Sequence, residues 1–227
     1  MKVGIISLKG GVGKTFLAVN LATYLAREHN KKVLLVDLSG ETANTALYIR
    51  KKPLILGERL WQGIVATPYF HLKVASNIRE DHNRDLEVLE KIYDFIIFDT
   101  PPHFGVIKLI NEWADVLLLV TNSDYLSLFT NYVLYKYLNK DKVKIILNKY
   151  SKEIDLDIIN SIYGKPVSVV IPYSKDVIKA NKLLIPLVLS NPNSKVTGAI
   201  DDIAYLLTSK KKKRNVILEI IKSIFLA

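Results

Sequence analysis

The sequence predicts an α/β fold of three layers, a mostly parallel central sheet with helices on both faces. Three observations carry that expectation: short runs rich in Val and Ile, helical stretches alternating with them, and a glycine-rich turn between the first run and the first helix. Apolar runs without polar alternation suit strands covered on both sides. Strand–helix alternation builds right-handed βαβ units, whose ligands collect at the carboxyl ends of the strands.

In chain order, strands are expected at 3–8, 33–36, 72–75, 95–98, 116–120, 143–147 and 167–171. Helical periodicity fits 15–28, about 85–92, 124–138, 156–163, 174–181 and 196–207. The stretch 40–70 is weakly patterned, interrupted by Pro53, Gly57, Gly63 and Pro68, with room for a helix near 44–50 and a short one near 58–63. No internal repeat and no Gly/Ser linker divides the chain. The expectation is one domain over 1–209, followed by a basic run and an amphipathic segment over 210–227.

The chain has 227 residues, 49% of them apolar and 24% charged, enough for one substantial core. No apolar stretch approaches the ~20 residues that span a bilayer, and no signal peptide is visible at the start, so a cytoplasmic protein is expected. The absence of cysteine excludes disulfides, Cys-ligated zinc, iron–sulfur clusters and thiol nucleophiles. His29, His71, His82 and His103 lack metal spacing. The net charge of +10 is unevenly spread: residues 1–139 hold 16 basic and 14 acidic side chains, residues 140–227 hold 16 and 8. Such a field suits a polyanionic partner, DNA or anionic lipid, although a solubilising lysine-rich surface would look the same. Only six of the basic residues are Arg, which does not favour reading of bases by Arg forks.

Lys9-Gly10-Gly11-Val12-Gly13-Lys14-Thr15 joins the first strand to the first helix. Glycines let successive backbone N–H groups face one anion at the helix N-terminus. Lys14 would then neutralise the β- and γ-phosphates of a nucleotide, and the Thr15 hydroxyl would ligate Mg²⁺. Asp37 and Asp99 each close a strand run, where a carboxylate can orient water and Mg²⁺ or simply cap a turn.

These residues resemble the ParA/MinD ATPases. Lys9 to Thr15, with a lysine ahead of Gly-Gly, is similar to that family's deviant Walker A motif. Residues 33–37 resemble its second strand, and 93–102 followed by Gly105 resemble its Walker B strand and switch II. Ile171-Pro172 and the helix after Ser174 resemble the segment beside adenine. The resemblance covers about 1–207. It implies ATP or ADP with Mg²⁺ as ligands, held by residues 9–16 together with Asn148 and Pro172, with Thr15, Asp99 and Asp37 at the metal. It implies an ATP-sandwich homodimer in which Lys9 reaches the other subunit's phosphates, and a catalytic set of Lys9, Lys14 and Asp37. It further implies a regulatory partner protein and either non-specific DNA or an anionic membrane as the bound surface. Asn148 matches the position that hydrogen-bonds adenine, yet an Asn also suits a strand-end turn.

Two departures stand out. The family carries Asp-x-Asp after the second strand, whereas this chain has Asp37-Leu38-Ser39. Serine does not accept a proton at neutral pH, so hydrolysis is expected to be slow or partner-dependent, with Glu41 as a substitute only if the loop bends. Phe16 stands where the family usually has Thr. In the tail, Lys210 to Arg214 precede a segment whose Val216, Ile217, Ile220, Ile221, Ile224 and Phe225 share one helical side. It would suit a membrane interface, as in MinD-type members, or a docking role, while the lysines would suit DNA phosphates. His103, in the switch II stretch, is a candidate for sensing nucleotide.

Overall fold

The computed structural model describes residues 1–40, 44–48, 57–152 and 154–210. Its elements follow in the order β1 (Lys2–Ile6), α1 (Lys14–Glu28), β2 (Val33–Asp37), α2 (Thr45–Tyr48), β3 (Val65–Ala66) and β4 (His71–Val74). Next come α3 (Asn83–Leu89), β5 (Phe95–Asp99), α4 (Phe104–Trp113), β6 (Val116–Asn122), α5 (Tyr125–Tyr135) and β7 (Val143–Tyr150). The chain continues through α6 (Leu156–Tyr163), β8 (Val169–Pro172), α7 (Lys175–Leu183), α8 (Leu187–Ser190) and α9 (Lys195–Thr208).

The strands form one sheet in the order β3-β4-β2-β5-β1-β6-β7-β8. Every neighbouring pair is parallel except the β3–β4 hairpin. Connections run outward from β1 to β2 on one side and, later, to β6 on the other. The carboxyl end of β1 therefore lies where the winding reverses, the crevice in which such sheets hold ligands. Alternation of side chains along the buried strands divides the core in two. Val3, Ile5, Leu35, Ile97 and Val120 pack under α1 and α9, while Ile6, Leu34, Ile96, Phe98 and Leu119 pack under α3 to α6. Helix α1 is buried from Phe16 through Leu25 because α8 and α9 cover the side it turns away from the sheet.

All seven expected strands and all six expected helices are present, with ends shifted by a few residues. Helix α3 stops at Leu89, short of Ile92, and α5 stops at Tyr135, short of Leu138. The stretch 58–63 is a correction: it forms turns between Gly57 and Gly63, both with positive φ, and the Leu60 N–H donates to Asp85 instead of to a helical carbonyl. Near 44–50 the helix is the single turn α2; residues 49 and 50 lie outside the described residues, as do Glu41 and the tail from 211 onward. Elements not expected include the two-residue edge strand β3, the 3-10 turn Glu80–His82, the short α8, and α4, which opens with Phe104-Gly105 one residue after two prolines. Among the described residues no helix is long and apolar enough to cross a membrane.

Candidate functional site

Five helices begin with a side-chain cap. His103, Asp124, Asp155, Ser174 and Ser194 accept from backbone N–H groups at the starts of α4, α5, α6, α7 and α9. Helix α1 begins differently. Its N-cap is Gly13, no side chain caps it, and its first turn holds no carboxylate. The orphan N–H groups and the positive end of the helix dipole are thus left for an anion. Gly13 has φ +101°, and a Cβ there would run into Asn148 Nδ2, so any other residue would be strained and would clash.

The glycine-rich loop forms one wall of a cleft of about 640 Å³, with Gly10, Gly11, Lys14 and Thr15 on the loop side. Ser39 and Asn44 approach from the β2–α2 connection, and Thr100 to Pro102 follow β5. Pro172, Tyr173 and the α7 residues Val177, Ile178 and Asn181 form a more apolar far wall. Phe16 also lines the cleft while packing into the core. Val12 turns its side chain fully into the core and offers only backbone. Tyr48 of α2 donates to Asn181 Oδ1 at 2.6 Å and ties the two walls together.

Lys14 lies largely buried, its Nζ within 3.5 Å of the Ser7 and Lys9 carbonyl oxygens. Burial pushes its pKa down and the Asp99 charge draws it part of the way back. Asp37 and Asp99 are register partners on neighbouring strands, and both are buried. Their environments differ. Asp37 accepts from Ser39 N–H through Oδ1, and from the N–H and hydroxyl of Thr45 through Oδ2. Asp99 has no hydrogen-bond partner of good geometry on either oxygen. Burial first, and the Asp37 charge second, raise its pKa to about 7; the nearby Thr15 hydroxyl and the Lys14 ammonium pull it back only in part. An orphaned buried carboxylate beside a hydroxyl and a second carboxylate is the donor chemistry of a hard divalent cation, so these residues fit Mg²⁺.

Lys9 follows Ser7 at the loop entrance. Its side chain lies in the field of Asp124, whose carboxyl is raised by burial but lowered more by Ser127 hydrogen bonds and by Lys9. Ser7 is held by Asn131, a fully buried residue of α5. Asn131 Oδ1 accepts from Ser7 Oγ at 2.9 Å and Leu8 N at 3.2 Å, and its Nδ2 donates to the Val120 carbonyl. Sequence reasoning missed Asn131, since an Asn inside a helix carries no local signal. Asn148 does reach the loop: Nδ2 donates to the Val12 carbonyl at 2.7 Å. His103 caps α4, its Nδ1 accepting from Val106 N–H. Among the described residues no three His, Asp or Glu side chains form a metal cluster.

Comparison with known proteins places this geometry. Residues 3–187 match the CobQ/CobB/MinD/ParA nucleotide binding domain. An uncharacterized ATP-binding protein of Methanocaldococcus jannaschii is 31% identical across 98% of this chain and 96% of its own length. The chromosome-partitioning ATPase Soj of Thermus thermophilus is 34% identical over 48% of this chain and 49% of its own. Among solved structures, the septum site-determining protein MinD of Pyrococcus horikoshii, complexed with Mg-ADP, has TM-score 0.77 at 24% identity. That match covers 91% of this chain and 95% of the other. A ParA family ATPase of Chlorobium tepidum has TM-score 0.73 at 22% identity, covering 89% and 98%. The last two are alike in fold. The chain belongs to the CobQ/CobB/MinD/ParA nucleotide-binding family.

Proposed function

We propose that the chain is a ParA-type ATPase whose nucleotide state switches dimerisation and, through it, attachment to non-specific DNA during partition or intracellular positioning. One observation carries the reading: an uncapped helix start behind a glycine-rich loop faces a cleft beside an orphaned, buried carboxylate. ATP would seat its phosphates on the N–H groups of residues 10–15 with Lys14 beside them, and its base against Pro172 and α7. Thr15 and Asp99 would hold Mg²⁺, with Asp37 behind them. The cation, when bound, supplies a positive charge that neutralises the phosphates and the buried carboxylates together. Ser39 contributes its N–H to Asp37 and no carboxylate, which supports slow hydrolysis.

Lys9 would cross to the partner's phosphates in the dimer. The outer face of α5 supports a dimer at this edge: Tyr125, Leu126, Phe129 and Val133 are each more than half exposed, and the helix starts at the Asp124 that feels Lys9. A second copy docked at Lys9 would cover the near end of that apolar stripe. DNA attachment is supported by α7, which exposes Lys175, Lys179 and Lys182 at i, i+4 and i+7 while Val177, Ile178 and Asn181 of the same helix line the cleft. A MinD-like membrane reading draws its support from the amphipathic sequence of the tail.

The test is sedimentation of the full chain with ATP or ADP, repeated with a random DNA duplex and with anionic liposomes. The reading expects an ATP-dependent dimer that binds the duplex with steep salt dependence. An ATP-bound monomer indifferent to DNA would refute it. Liposome binding lost on truncation after Ser209, without DNA binding, would replace it with the membrane reading.

A further inference from the structure

The geometry points to Asn148 and Lys149 as positioning residues that set the backbone of the phosphate loop, with neither acting primarily as a reader of the base. The inference deepens the nucleotide site proposed above and rests on it. Strand β7 pairs with β8 in register at Leu147–Val170 and again at Tyr150–Pro172. Two residues, Asn148 and Lys149, therefore stand opposite the single Ile171, a β-bulge of the kind that re-aims side chains and is rare between parallel strands. Lys149 adopts φ +55°, a left-handed conformation uncommon for a residue with a side chain.

The bulge turns both side chains onto the loop. Lys149 Nζ donates to the Gly11 carbonyl at 2.8 Å, and Asn148 Nδ2 donates to the Val12 carbonyl at 2.7 Å. The Asn148 amide is itself fixed, because its Oδ1 accepts from Lys149 N–H at 2.9 Å. Gly13 leaves the room that Asn148 occupies. In a planar trans peptide the carbonyl of one residue and the N–H of the next point in opposite directions. Asn148 and Lys149 themselves line the cleft, so drawing the Gly11 and Val12 carbonyls to them turns the Val12 and Gly13 N–H groups to the opposite side of the loop backbone and fixes the direction in which these donors meet an anion. The bulge thus fixes the donors of the anion nest before any ligand arrives, which removes an ordering cost from binding.

The test uses the full chain and three probes: inorganic tripolyphosphate, ATP and GTP, with affinities from calorimetry, alongside amide NMR spectra of the nucleotide-free protein. For Lys149→Met the expected result is a fall of about tenfold in tripolyphosphate and ATP affinity alike, with shifted or broadened Val12 and Gly13 amides, both restored in Lys149→Arg. For Asn148→Ala, all three probes are expected to weaken by a similar factor, leaving the ATP-to-GTP ratio unchanged. Unchanged tripolyphosphate affinity in either variant would overturn the inference. So would an affinity loss with unmoved loop amides, which would mark a purely electrostatic effect, or a collapsed ATP-to-GTP ratio in Asn148→Ala, which would mark a base reader. If the unaltered chain bound none of the probes, the nucleotide site itself would fall, and this inference with it.

Discussion

Replacing Asp99 with Asn should stabilise the nucleotide-free and magnesium-free protein above neutrality, even though it removes a carboxylate proposed to hold the metal. Folding places Asp99 in a buried position with no hydrogen-bond partner, beside Asp37, and moves its pKa from 3.8 to about 7. Between those values the native state keeps a proton that the unfolded chain has released. Native stability therefore falls as pH rises through that window, and the loss is complete above about 7. At about 1.4 kcal/mol per pKa unit, the shift amounts to about 4 kcal/mol. Asn has nearly the same size and is neutral throughout. The variant should match the unaltered protein near pH 4 and exceed it by an amount approaching 4 kcal/mol near pH 8. Urea unfolding of both proteins across that range, with a chelator present, measures the difference directly. Mg²⁺ with ADP should narrow the gap, since a bound cation favours the ionised Asp99 and does nothing comparable for Asn. A difference that stays flat with pH, or a variant less stable than the parent near pH 8, would refute the electrostatic account.

Three further outcomes follow from named contacts. Gly13→Ala forces φ +101° on a residue with a Cβ and pushes that Cβ into Asn148; it should abolish ATP binding and lower stability by about 1–3 kcal/mol, read by calorimetry and thermal unfolding. Asn131→Ala removes the acceptor of the Leu8 N–H and leaves Ser7 Oγ only its contacts with the Lys9 backbone, with an expected loss of about 1–3 kcal/mol in urea unfolding and weaker ATP binding. Phe129→Ser, on the exposed face of α5, should leave the monomer's unfolding midpoint within experimental error while weakening ATP-dependent dimerisation at least about tenfold in ultracentrifugation. An unchanged dimer constant would remove α5 from the interface.

Legibility in the sequence followed the range of the physics. Buried parallel strands need unbroken apolar runs, so Val33 to Val36 and Phe95 to Phe98 were visible without structure. The glycine-rich loop was visible because its glycines, lysine and threonine sit within seven consecutive positions. The partners of that loop were not: Asn131 lies 124 residues from Ser7, and Lys149 lies 138 from Gly11. The bulge was illegible for a further reason, since the positive φ falls on a lysine, where no glycine or asparagine announces it. Helix α4 was missed because Gly105, two residues past its cap, weakens local propensity, while Ile107, Ile110 and Trp113 on the sheet restore it through packing.

Ser39 and Asp37 together bear on how this site would work. Sequence alone marks Ser39 as a missing carboxylate and leaves Asp37 to serve as catalytic residue and metal ligand. In the folded chain Asp37 is occupied at both oxygens, by the Ser39 N–H on one and by the Thr45 N–H and hydroxyl on the other. To ligate a cation directly it would have to share or surrender those bonds, each worth on the order of 1 kcal/mol or more for a charged acceptor. Asp99 would surrender less, and would gain by relief of its own burial. In the proposed site the two carboxylates would therefore divide the work: Asp99 would be the metal ligand, while Asp37 holds Ser39 and Thr45 and raises the Asp99 pKa by its charge. Because Thr45 opens α2, whose Tyr48 bonds Asn181, a cation that relaxed the Asp37–Asp99 repulsion would act on a chain of contacts joining the carboxylate end of the cleft to the wall against α7.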